Sequence, residues 1–278
     1  MTQPDLFDLG LRADLRMLMR TPIARRRLLS LGAASAAAIL AGCGARGPRL
    51  ERASSPTKTS SDGACTTPPA ETAGPFPADG SNASGKALNV LAESGIVRTN
   101  LKPSLNGAKT AVGVPATFTF KLVNVNDNCK PLSGYALYAW HCDREGQYSL
   151  YSSAATDVDY CRGVQASDAN GNLTFQSIFP ACYTGRWPHV HFEVFESLAK
   201  ANTSANALLT SQMAFPEDVC KTVYSNADGY AESVSNLAQL TLASDLVFGD
   251  TGGASQLAAT TGDLSTGFSS TFVIGVAV

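Results

Sequence analysis

From about residue 115 onward, apolar and polar residues alternate over short stretches, the two-residue period of strands that bury one face. In residues 117–122, Phe118, Phe120 and Leu122 share one side, and two threonines and Lys121 share the other. Residues 134–142 are apolar almost throughout and predict a strand buried on both faces. In residues 173–178, Leu173, Phe175 and Ser177 alternate with Thr174, Gln176 and Ile178, and apolar residues on both sides again predict burial. Over residues 190–195, Val190, Phe192 and Val194 form an apolar side, opposite His189, His191, Glu193 and Phe195. Residues 213–215 and 272–276 read as further strands, and residues 218–230 hold a helical turn. Asp168-Ala169-Asn170-Gly171 predicts a hairpin, because Asn-Gly accepts the positive φ of tight turns. Many short strands between Gly, Asn and Pro turns define the fold class: all-β, a sandwich of mostly antiparallel strands with long loops.

Ahead of the strands the pattern changes. Arg25-Arg26-Arg27-Leu28-Leu29 is a twin-arginine pattern, followed by an Ala-rich apolar run over residues 28–42. That run is short for a transmembrane helix and suits an export signal. It ends in Leu40-Ala41-Gly42-Cys43, a lipobox-like sequence in which the Cys43 thiol would carry a lipid. Residues 44–70 are rich in Ser, Thr, Pro, Gly and Ala and too poor in apolar residues to pack. The expected organisation is an export signal (1–42), a flexible tether (43–70) and one β-sandwich domain (71–278). The expected location is periplasmic or cell-surface, with the membrane reached only through Cys43.

Charge and cysteine content sharpen this picture. The net charge of the 278 residues is −2, and residues 1–42 hold six arginines against three acids, so the remainder is more acidic still. The absence of a basic patch argues against a nucleic-acid partner. Of seven cysteines, six remain when Cys43 is set aside. An oxidising compartment would allow them three disulfides, in any of 15 pairings, and no C-x-x-C spacing argues for zinc.

The candidate chemistry centres on residues 181–195. The chain has three histidines, and His189 and His191 project together from one face of a strand. With Tyr148 and Tyr183 they make a set of two imidazoles and two phenolates, whose hard anionic oxygens suit ferric iron better than zinc or cuprous copper. A free tyrosine ionises near pH 10, so the metal must drive that ionisation. His141, behind Trp140 on a buried strand, reads as a structural histidine. Glu193 shares the histidine face and is a candidate hydrogen-bond partner there. Trp187 is either a pocket wall or a rim aromatic, and Arg162 either buries near the site or ends a strand in a salt bridge. The other tyrosines, Tyr135, Tyr138, Tyr151, Tyr160, Tyr224 and Tyr230, read as packing.

These residues resemble the intradiol ring-cleavage dioxygenases, the family of catechol and protocatechuate dioxygenases, and in particular their exported relatives. The resemblance rests on Tyr138-Ala139-Trp140-His141-Cys142-Asp143, Gly146-Gln147-Tyr148-Ser149, Cys161-Arg162-Gly163-Val164-Gln165, Asp168-Ala169-Asn170-Gly171, Phe175-Gln176-Ser177-Ile178-Phe179-Pro180 and residues 183–191. It spans roughly residues 71–250. It implies a β-sandwich holding one non-haem Fe(III), with Tyr148, Tyr183, His189 and His191 as ligands and Tyr183 the one that leaves when substrate binds. It assigns Arg186 to charge stabilisation on the substrate ring, and Gln212, beyond an apparent insertion at residues 197–206, to a catalytic position. The implied reaction is cleavage of a catechol between its hydroxylated carbons by O2, giving a cis,cis-muconate. The connection from Tyr183 to His189 is short for the family, which predicts a more open pocket tolerant of bulky catechols. No helical dimerisation region is evident, so the oligomer is left open. Two other readings use the same residues: a metal-binding lipoprotein without catalysis, and a transthyretin-like or adhesin-like interaction module. Arg186 has no use in a metal store, and the ordered ligand set has none in an interaction module.

Overall fold

The structure is a computed structural model in which residues 65–278 are described. The export signal, Cys43 and the tether as far as residue 64 lie outside the described residues. The organising strand is β1 (Pro115–Asn124), in which Phe118, Phe120 and Leu122 are buried while Thr117, Thr119 and Lys121 are half-buried. It pairs parallel with β9 (Gly267–Val276) on one side. On the other side it pairs antiparallel with β5 (Asn172–Ile178) and, at its end, with β2 (Lys130–Pro131). β8 (Ala259–Asp263) completes this sheet outside β9. The second sheet is antiparallel, in the order β4 (Arg162–Ala166), β3 (Ala136–Trp140), β6 (His189–Phe195), β7 (Leu209–Ala214). The all-β sandwich is thus as expected, with β1–β9 as its parallel pair.

The core lies between the sheets. Phe120 packs at 6.2 Å from Phe175 and 5.7 Å from Phe192, and Phe192 lies 6.0 Å from Phe272 (ring centroids). Val190 and Val194 join Phe192 in this layer. The histidine face of β6 is not left to solvent: all seven residues of the strand are buried. On that face Phe195, with Tyr138 and Trp140 of the neighbouring strand, joins a second apolar cluster that includes Phe76, Tyr148, Tyr151 and Tyr183.

Several local expectations change. Asp168–Gly171 does form a tight turn, with the Asp168 carboxylate accepting from Asn170 N and Asn172 N, and Gly171 at φ +79°. It is not a hairpin, because β4 pairs with β3 and β5 with β1, so the turn carries the chain from one sheet to the other. A side chain at Gly171 would meet the Leu122 carbonyl at 2.4 Å, so glycine is required for steric reasons as well. β5 is buried mainly on one face, since Asn172 and Thr174 are half-buried and Gln176 exposed. Its end at Ile178 is sealed by a separate cluster of Ala111, Ala155, Val158, Tyr160 and Cys161. The helical turn is two helices, α1 (Glu217–Asn226) and α2 (Ala231–Leu237). β4 and β8 went unread because their short runs carry little alternation. Of the possible disulfides, Cys65–Cys129 is present, while Cys142, Cys161, Cys182 and Cys220 are buried thiols. Residues 65–70, read as tether, meet the domain through that disulfide, through Thr66 O with Gly275 N, and through Pro69 O with Ser211 Oγ.

Candidate active site

Strand register builds the first half of the site. Trp140 on β3 and Gln212 on β7 lie directly across from His191, so the three side chains form a row over one sheet face. His191 stacks on Trp140 at 4.9 Å with the rings 6° from parallel. His189, two residues earlier, bonds through Nδ1 to the Trp187 carbonyl. A carbonyl only accepts, so Nδ1 carries the proton and Nε2 presents its lone pair. The two Nε2 atoms face each other at 3.0 Å.

Loops bring the phenols to the same point. Tyr148 Oη lies 3.3 Å and Tyr183 Oη 3.5 Å from His189 Nε2. Tyr148 follows a turn closed by Asp143, whose carboxylate accepts from Glu145 N and Gln147 N. Tyr183 opens a turn in which Arg186 N donates to Tyr183 O, with Gly185 at φ +79°. Tyr148, Tyr183, His189 and His191, the four residues singled out in the sequence, are therefore together and buried, the most exposed being Tyr183 at 6%.

The donor set fits a highly charged cation. Burial, then the neighbouring Tyr183, pushes Tyr148 well above the usual phenol range. Burial, then the Arg186 guanidinium, pushes His189 down to about 3. His191 is also pushed well below the ordinary imidazole value, by burial and then His189. Two imidazole nitrogens 3.0 Å apart with two phenolic oxygens beside them are a nitrogen and oxygen donor set that suits a metal ion. His191 Nδ1 is buried without a hydrogen-bond partner. Among the described residues no group of three or more His, Cys, Asp or Glu side chains could hold a metal, so the tyrosines are indispensable to any such site.

Arg186 is fully buried beside this quartet. Its Nε donates to Asp245 Oδ2 at 3.0 Å and its Nη2 to Gln212 Oε1 at 2.5 Å. Gln212 Nε2 in turn donates to Thr72 O. Burial alone would raise the Asp245 carboxyl, yet Arg186 and backbone N–H donors hold it below the ordinary carboxylate value. Sequence reading missed Asp245. The available signal was an acid followed by Leu246-Val247-Phe248, since a buried guanidinium demands a buried counter-charge. It also missed Glu71, which burial and then Asp250 raise to about 8.

The remaining candidates separate clearly. His141 is structural as expected, with Nδ1 at 2.7 Å from Cys142 O and Nε2 at 2.8 Å from Ser177 Oγ. Arg162 is buried and makes no strand-end salt bridge. Its donors go to Phe76 O, Pro77 O, Tyr138 Oη, Ser149 Oγ and Ser149 O, tying the Tyr148 loop to the chain before residue 78. Trp187 is a core residue rather than a rim aromatic, with Nε1 donating to Phe215 O. Glu193 faces Asp79 and Thr210, and burial, then Asp79, raises it to about 9. The short Tyr183–His189 connection does not leave the donors open. Residues 69–78 cross beside them, with Glu71 N bonded to Thr210 O and the Phe76 ring 5.0 Å from Tyr148.

Fold and donor set together define a β-sandwich with a buried cluster of two tyrosines and two histidines. The profile of the family Dioxygenase_C, described as Dioxygenase, matches residues 95–245, more than half of the chain. The chain belongs to this dioxygenase family of intradiol ring-cleaving enzymes, as its sequence motifs implied. Among solved structures, an intradiol ring-cleavage dioxygenase from Tetranychus urticae has the same fold, with a TM-score of 0.59 at 22% identity over 77% of this chain and 95% of that one. The dioxygenase domain of a carbohydrate-binding fusion from Streptomyces sp. SirexAA-E is 24% identical over 66% of this chain and 88% of that one, with a TM-score of 0.42. No curated protein matches the sequence.

Proposed function

We propose that this enzyme holds one ferric ion on Tyr148, Tyr183, His189 and His191 and cleaves uncharged catechols between their hydroxylated carbons. The observation that carries the reading is the convergence of both phenolic oxygens and His191 Nε2 within 3.5 Å of His189 Nε2. Bound iron would supply the Lewis acidity that ionises a catechol and leaves its ring electron-rich toward O2. The protein's own groups do the rest. His189 and His191 stay neutral through burial, and the Trp187 carbonyl keeps His189 Nε2 directed inward. Tyr183 is the ligand that would give way to substrate, and its phenolate would take up a catechol proton. Arg186, fixed by Asp245 and Gln212, holds a permanent positive charge beside the ring, worth about 3 kcal/mol of barrier in comparable sites. The carbon–carbon bond between the hydroxylated positions breaks, and both atoms of O2 end in the carboxyl groups of a cis,cis-muconate.

The same residues argue for an uncharged ring. Among the described residues the buried cations are Arg162 and Arg186, and both are engaged by protein acceptors. Glu71, Asp245 and Asp250 bring carboxyl groups to the Arg186 end. A carboxylate on the substrate would be desolvated without a partner, which costs more than the ring's contacts return. The twin-arginine pattern and Cys43 add export and a lipid anchor to the proposal, and the Cys65–Cys129 disulfide suits an oxidising compartment.

Absorption spectroscopy and oxygen uptake test the reading. The iron-loaded protein should show a visible tyrosinate-to-iron charge-transfer band that shifts with anaerobic catechol, and should consume O2 with catechol. A colourless protein that binds no iron would refute the ligand assignment, and colour without O2 uptake would favour a metal store. Turnover of 3,4-dihydroxybenzoate as efficient as that of catechol would refute the charge argument.

A further inference from the structure

The four residues leading into Tyr183 are held with unusual completeness. Phe179 N donates to Val114 O, and Phe179 O accepts from Tyr230 Oη at 2.8 Å. Pro180 O accepts from Tyr224 Oη at 2.8 Å. Ala181 N donates to Asp143 O, and Ala181 O accepts from the Cys142 thiol. Cys182 N donates to Ser233 Oγ at 3.0 Å, and Cys182 O accepts from Asn236 Nδ2 at 2.9 Å. Every backbone donor and acceptor from Phe179 through Cys182 therefore has a partner. A loop ordinarily leaves such groups to water. Four of the partners, Tyr224, Tyr230, Ser233 and Asn236, come from α1, α2 and the residue that caps α2.

We propose that the α1–α2 pair is a clamp that fixes the backbone entering Tyr183, with Ser233 and Asn236 as positioning residues for the phenol. The inference rests on the reading of Tyr183 as a metal ligand. Ser233 and Asn236 grip both sides of Cys182, so Tyr183 Cα is fixed from the preceding residue. On the following side the turn to Arg186 is anchored by the Arg186–Asp245 pair. A ligand that must leave and return can then do so by side-chain rotation alone. Its return to within a fraction of an ångström needs no reordering of the loop. Their hydrogen bonds to this segment end on Phe179, Pro180 and Cys182, so the clamp acts on the metal through Tyr183.

The test is iron affinity, measured by chelator competition, for Asn236→Ala, Tyr183→Phe, the double variant and the parent. Asn236 is half-buried and borders a cavity of about 430 Å³ shared with Arg144, Gln147, Cys182 and Ser233, so its truncation opens no sealed void. Asn236→Ala should weaken iron binding about tenfold when Tyr183 is present, the usual cost of losing an outer support. It should change affinity less than about twofold in the Tyr183→Phe background, because the supported ligand is gone. A purely structural role would give the same factor in both backgrounds, and that result, or no change in either, overturns the clamp. Ser233→Ala in the same cycle gives a second reading if Asn236→Ala folds poorly. If Tyr183→Phe binds iron like the parent, the ligand assignment fails instead, and the two failures are distinguishable.

Discussion

Replacing Asp245 by Asn should destabilise the protein far more than the loss of one atom's charge suggests. The carboxylate accepts four hydrogen bonds: Oδ2 from Arg186 Nε at 3.0 Å and Trp187 N at 2.6 Å, and Oδ1 from Val247 N at 2.8 Å and Phe248 N at 2.9 Å. An asparagine has one carbonyl oxygen, so whichever way it turns, its NH2 faces two N–H donors. Two bonds to a charged acceptor are lost, at about 1.5–3 kcal/mol each. Arg186, fully buried, also loses its ion pair with Asp245. Breaking a buried pair from one side costs about 3–5 kcal/mol, and the two routes to the figure agree. Urea denaturation of parent and variant, with the slope checked for constancy, measures it. Because the folded-state value of Asp245 lies below its ordinary 3.8, the ionised form contributes stability above about pH 4 that is lost as pH falls through the folded value. The variant's stability should therefore fall less steeply in acid. A loss under about 1 kcal/mol, or an unchanged acid limb, would show that this carboxylate does not hold Arg186 as described.

Three further outcomes follow from the same structure. Glu71 has a folded-state value raised from 4.5 to about 8, so it favours the folded state in its protonated form and that contribution is lost as pH rises across this range. Glu71→Gln should flatten the decline in stability between those values, read by thermal melts at several pH values. Cys65→Ser opens a link between residues 64 apart and should cost about 2–4 kcal/mol in a denaturant titration, while leaving the spectrum of the iron site unchanged. Phe120→Ala empties the centre of the inter-sheet core and should cost about 3–5 kcal/mol.

What the sequence determined by itself was local or periodic. The alternation in residues 117–122 and 190–195 settled which faces of β1 and β6 meet between the sheets, because strand period and apolar burial are properties of neighbouring residues. The spacing of His189 and His191 likewise put both imidazoles on one face, and the ordered motifs around Tyr148 and Tyr183 carried the family. Tertiary structure decided everything that depends on distant segments. Asp168–Gly171 reads locally as a hairpin, yet the partners of β4 and β5 lie in different sheets, and strand pairing is not written in the turn. The histidine face reads as the polar side of a strand, yet the Tyr148 loop and residues 69–78 cover it. Arg186 stood out in the chain, but Asp245, 59 residues on, became its partner only through folding. Burial and ion pairing are set by which segments meet in space, so the ligand types could be read from the chain while the groups that hold them in place could not.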